Sequence, residues 1–138
     1  MTYRAIDNPD VQRAFASYSE ETRRKLMHLR QLIYEVASET EGVGTLQETL
    51  KWGQISFLTH SPKTGTTIRI DEYQPETQKI AFYVHCQTNL VDMFRQMYPD
   101  NFEYEGNRAV ILNDQADNDV LKHFIELILT YHQRKKGK

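Results

Sequence analysis

Cysteine occurs once in this sequence, at Cys86, so no internal disulfide framework can form, and a lone thiol suits a reducing compartment. Tryptophan also occurs once, at Trp52. Four prolines and six glycines are scattered singly, and no low-complexity linker or internal repeat appears. No charge of one sign prevails: 17 Lys and Arg against 19 Asp and Glu give a formal net charge of -2. That balance excludes a whole-surface phosphate binder and a disordered acidic tail, and a nucleic-acid role would need a local basic patch. Long apolar runs are missing too. Met1 to Asp7 has no apolar core like that of a secretory signal, and the longest apolar stretch, near the C-terminus, is interrupted by Glu126. The expectation is a soluble, cytoplasmic protein without a membrane partner. At 138 residues the chain is read as one domain, residues 1–138, with a core that buries about 68% of the unfolded surface.

Hydrophobic spacing gives the elements. Pro9 suits a first helical turn, and Val11, Ala14, Phe15 and Tyr18 follow at helical spacing, which predicts a first helix within residues 1–20. Ser19 caps a second helix, with Glu20 and Glu21 at the positive end of its dipole. In it Leu26, Leu29, Ile33, Val36 and Ala37 form an apolar stripe opposite Arg24, His28, Gln31 and Glu35, until Gly42 and Gly44 end the segment. From Trp52 onward the period is two. Ile68 and Ile70 alternate with Arg69 and Asp71, and Ile80, Phe82, Val84 and Cys86 alternate with Ala81, Tyr83 and His85, predicting a three-stranded meander. Its turns fall at Ser61 to Gly65 and Tyr73 to Thr77. Thr88 or Asn89 caps a helix carrying Leu90, Phe94 and Met97. Residues 102–112 read as a hairpin with Gly106-Asn107 as a two-residue turn. Asp117 to Asp119 precede one long, core-forming helix through Phe124 and Tyr131, and residues 133–138 read as a solvated basic tail. The fold class is α+β: an antiparallel sheet of about five strands, with N-terminal helices and a long C-terminal helix packed on one face.

Four local signatures carry a resemblance: Leu29-Arg30-x-Leu32-Ile33, Glu48-Thr49-Leu50-Lys51-Trp52-Gly53, His85-Cys86-Gln87-Thr88, and Phe102 to Arg108. Together, over about Thr22 to Tyr131, the chain resembles the YdhG-like family, a bacterial domain of unknown function. Family members usually carry a proline two residues after the glycine, where this chain has Ile55. The resemblance implies an antiparallel sheet with helices on it and no established reaction. Some members look like frataxin and act as iron chaperones, which brings iron handling into view by analogy.

Several constellations carry chemistry. A large ring beside a glycine marks a close-packed junction at Trp52-Gly53, and Lys51-Trp52 reads either as a ligand platform or as a plug at the end of the sheet. Strand alternation sends Arg69, Asp71, Tyr83 and His85 to the face away from the helices. His85 and Cys86, as strand neighbours, point to opposite faces and cannot share a metal, so Cys86 is expected to be buried. His28, His60, His123 and His132 have no zinc-site spacing. Lys63-Thr64-Gly65 lacks the Ser-x-x-Lys partner of penicillin-recognising enzymes and reads as a hairpin turn. Asp114, Asp117 and Asp119 lack the glycine and glutamate of a calcium loop and read as caps.

The leading expectation is a non-enzymatic binding module that holds a small molecule or a protein, a second copy of the chain included, on the face of Lys51, Trp52, Arg69, Tyr83 and His85. It has no cofactor, no metal and no nucleic-acid groove. A second reading is an iron chaperone using Asp7, Asp10, Glu20 and Glu21. A third is an enzyme with His85 as acid or base, assisted by Tyr83 or Arg69.

Overall fold

A computed structural model describes residues 4–59, 63–74, 76, 79–113 and 117–136, the side chains of 135 and 136 excepted. Among the described residues are six strands and five helices: α1 (Pro9–Ser17), α2 (Glu20–Glu39), β1 (Leu46–Lys51), β2 (Gln54–Thr59), β3 (Ile68–Glu72), β4 (Ile80–Tyr83), α3 (Leu90–Met97), β5 (Glu103–Glu105), β6 (Ala109–Leu112), α4 (Asn118–Leu129) and α5 (Tyr131–Lys136). The strands form a single antiparallel sheet in the order β1-β2-β3-β4-β6-β5. An α+β fold with an antiparallel sheet is what the patterning requires.

α1, α2 and α4 begin where short polar side chains meet free amides, whereas Asn89 at the start of α3 makes no side-chain cap bond, against expectation. Asn8 Oδ1 accepts from the amides of Asp10 and Val11, Ser19 Oγ from Thr22, and Asp117 Oδ1 from Asp119. Register sets which side chains meet the helices. Leu50, Ile55, Ile70, Phe82 and Val110 lie opposite one another across five strands, and all face the core with Val11, Phe15, Leu26, Leu29, Ile33, Phe94, Phe124 and Ile128. The Phe124 ring packs tilted against those of Phe94 and Phe82, with centroids 4.1 Å and 5.4 Å away, joining α4 to α3 and to the sheet.

Several sequence expectations are corrected. The sheet has six strands, not five, because β1 precedes Trp52. Its core-facing positions read Leu46, Glu48, Leu50, and the glutamate in the middle hides the alternation. Glu48 is tolerated there because the fully buried Arg30 of α2 meets it, through Nε to Oε2 at 2.6 Å and Nη2 to Oε1 at 2.9 Å. The Tyr34 hydroxyl donates to the same carboxylate at 2.9 Å.

The long C-terminal helix is broken at Thr130. The 63–66 loop docks on the end of α4: Thr64 Oγ1 donates to the Leu129 carbonyl at 2.9 Å and the Thr66 amide to that of Ile128 at 3.1 Å. Those carbonyls then end α4, and α5 starts afresh at Tyr131. Lys63-Thr64-Gly65 is thus a docking segment; a Cβ on Gly65 would lie 2.3 Å from the Ile128 carbonyl oxygen. Residues 133–136 are not a frayed tail but part of α5, and Arg134 Nη2 donates to the Leu127 carbonyl at 2.7 Å. The β5–β6 connection has three residues, since Glu105 pairs with Ala109. His60, Ser61, Pro62 and Asp114 lie outside the described residues.

Candidate functional site

The register that points Ile70 and Phe82 inward turns Ser56, Arg69, Tyr83 and Ala109 outward in one row across β2, β3, β4 and β6. The next row carries Gln54, Asp71, Ala81 and Ile111. Ala81, Tyr83, Ala109 and Ile111 are buried as a small second cluster with Tyr73 against it, separate from the main core. Arg69 is the direct cross-strand partner of Tyr83. Arg108, one residue before β6, places its guanidinium carbon 5.3 Å from the centre of the Tyr83 ring. Arg69 Nε is shut away from solvent and has no hydrogen-bond partner among the described residues. Burial, and then the neighbouring Arg108 charge, lower the proton affinity of Arg69. Burial, and then Asp71, raise that of the Tyr83 phenol.

The five residues singled out in the sequence divide into three places. Arg69 and Tyr83 meet at the centre of the face. Lys51 and Trp52 lie at the tip of the β1–β2 hairpin, with Lys51 opposite Gln54. Three strand spacings, about 14 Å, separate β1 from β4. His85 lies past the end of β4, at the other end of the strands from Trp52. It is exposed, its Nδ1 accepts from the Gln87 amide at 3.1 Å, and its carbonyl accepts from Thr88. That turn also exposes Cys86, against the expectation of a buried thiol, because β4 ends at Tyr83 and the alternation stops there.

Trp52 is neither in a close-packed junction nor a plug. It is 92% exposed, and a Cβ on Gly53 would meet nothing within 4 Å. With φ of 55° and 77°, Trp52 and Gly53 have the positive dihedrals of a two-residue type I′ hairpin turn, which explains the glycine. A bulky residue in the left-handed region is uncommon and costs about 1–2 kcal/mol.

Reasoning from the sequence missed Arg108. It reads as the first residue of a hairpin strand, and only the pairing of β6 with β4 brings it over Tyr83. Also missed was a cleft of about 590 Å³ on the helix side of the sheet, floored by Leu29, Ile80, Leu112 and Leu121. Its rim cations Arg24 and Lys25 are both engaged by Glu21. The acids expected to hold iron do not converge: Asp10 pairs with Arg13 and Glu21 with Arg24, each within its own helix. Among the described residues no group of three or more His, Cys, Asp or Glu is placed to hold a metal, and no helix is long and apolar enough to cross a membrane.

No known protein family, curated protein or solved structure matches the chain. Any function is therefore read from the residues of this chain alone.

Proposed function

We propose that this chain is a non-enzymatic binding domain of the cytoplasm that holds a small molecule or a protein partner on the outer sheet face, centred on Arg69 and Tyr83. Lys51 and Trp52 form its margin at one end and His85 at the other. The YdhG-like relationship, suggested by the Lys51-Trp52-Gly53 segment and its companions, belongs to the same proposal. One observation carries the reading: Arg69 Nε is a donor closed to water with no acceptor among the described residues. Such a group costs about 1–3 kcal/mol when left unsatisfied, and a ligand that displaces the side chains covering it supplies the missing acceptor. Irregular energetics of this kind gather at binding sites.

Amide chemical shifts, recorded while mixtures of small polar and aromatic fragments are added, test the reading. Shifts clustered at Arg69, Tyr83 and Ala109 support it. Shifts confined to His28 and Leu121, in the cleft on the helix side, would move the site to the other layer and end this proposal. Arg69→Ala should lower stability by no more than about 1 kcal/mol, because the side chain makes no bond that folding must keep.

A further inference from the structure

We infer that Arg69 and Arg108 form a two-pronged site for a phosphate monoester, a small organic molecule with one dianionic phosphoryl head, against the edge of Tyr83. The inference rests on the binding-face reading and names the chemistry that would occupy it.

Charge accounting on the face points to the ligand. Asp71, Glu103 and Glu105 each already have a partner within the chain. Asp71 accepts from the Tyr18 hydroxyl at 2.6 Å and from Gln54 Nε2 at 3.3 Å. Glu103 holds Lys79 at 2.6 Å, and Glu105 accepts from the Tyr73 hydroxyl at 3.1 Å. Neither Arg69 nor Arg108 has an ion pair or a side-chain hydrogen bond among the described residues. Arg108 is fixed through its backbone instead: its carbonyl accepts from the Val84 amide at 2.9 Å and its amide donates to the Glu105 carbonyl at 3.3 Å. Two cations thus repel each other on a protein whose formal net charge is -2, with no acidic side chain paired to either among the described residues.

The ligand class follows from charge and geometry. A phosphate monoester carries about -1.5 to -2 charge at neutral pH, which balances two guanidinium groups, whereas a monocarboxylate would leave one uncompensated. Arg69 lies directly across from Tyr83 and Arg108 over its ring, and the fork of a guanidinium matches two oxygens of a phosphoryl group. Asp71 and Glu105 both act electrostatically on Tyr83, the ring between the two prongs. They disfavour a long polyanion and so select a single phosphoryl head over a nucleic-acid strand.

The experiment uses the full chain, with phenyl phosphate as probe at low ionic strength, followed by calorimetry and amide shifts. Binding should shift Arg69, Tyr83 and Ala109, and should weaken below about pH 6 as the phosphoryl dianion takes up a proton and becomes a monoanion. Arg69→Ala and Arg108→Ala should each lower affinity at least tenfold with melting temperatures near that of the parent, and Arg69→Lys should restore only part. Inorganic phosphate should compete, and benzoate should not. Affinity unchanged in both alanine variants, or benzoate binding as tightly as phenyl phosphate, would overturn the phosphate assignment. If other fragments shift these amides and phenyl phosphate does not, the assignment falls and the binding face stands. If no fragment shifts them, both fall together.

Discussion

Replacing Glu48 by alanine should be among the most damaging single changes in this protein, and the structure sets its size. Arg30 is 0% exposed, and its guanidinium makes four bonds: two to Glu48, and one each to the carbonyls of Arg4 at 2.5 Å and Ala5 at 3.0 Å. Glu48→Ala keeps the carbonyl bonds and removes the counter-charge, and Tyr34 loses its acceptor. Breaking a buried pair from one side costs about 3–5 kcal/mol, because the remaining charge is stranded away from water. A domain of this size is stable by about 5–15 kcal/mol, so the variant loses a large fraction of its margin. Removing both partners differs. In Arg30→Met/Glu48→Leu no charge is stranded, and the double variant should be more stable than Glu48→Ala alone despite its second substitution. Urea unfolding followed by far-ultraviolet circular dichroism measures all three proteins. A loss below about 1 kcal/mol for Glu48→Ala, or a double variant no more stable than Glu48→Ala, would refute the argument that desolvated charge dominates this site.

Trp52→Asn should leave the fold intact and stabilise it by up to about 1 kcal/mol, since asparagine tolerates the left-handed turn and an indole 92% exposed has little packing to lose; a fall in the denaturation midpoint would show that the ring packs. Gly65→Ala should destabilise by about 3 kcal/mol or more, because its Cβ would lie 2.3–2.4 Å from the backbone of Ile128 and Leu129, and backbone at a helix end cannot step aside; an unchanged midpoint would mean that the loop is not docked on α4. Stability should also fall in alkali. Burial, and then the Glu48 carboxylate, push the Tyr34 phenol up to about 12 from its ordinary value of 10.0, so this contribution is complete below pH 10 and is lost as pH rises through 12. The melting temperature of Tyr34→Phe should decline less steeply between pH 9 and 11 than that of the parent, and parallel declines would exclude Tyr34 as the source.

Local chemistry alone determined the helix starts and much of the core. Asn8-Pro9, Ser19 and Asp117 cap helices because short polar side chains reach free amides within three residues, a property of adjacent positions. Alternation in Ile68 to Asp71 and Ile80 to Tyr83 fixed which side chains face the helices, and so set Arg69 and Tyr83 on the outer face. The first strand was legible in principle. Alternating Leu46, Leu50, Ile55 and Phe57 flank a two-residue unit ending in glycine, the pattern of a tight hairpin. Glu48 masked it, since an acid in a core row makes sense only once Arg30, 18 residues earlier, is known to lie across from it. Tertiary structure decided the rest. Thr64 and Thr66 break the last helix from more than 60 residues away, by taking carbonyls that would otherwise continue it. Trp52 and His85 part to opposite ends of the sheet, and Arg108 comes over Tyr83, because the strand order places β6 beside β4 and β1 at the edge. Periodicity assigns a side chain to a face, whereas its neighbours across the sheet depend on long-range strand pairing that no local pattern encodes.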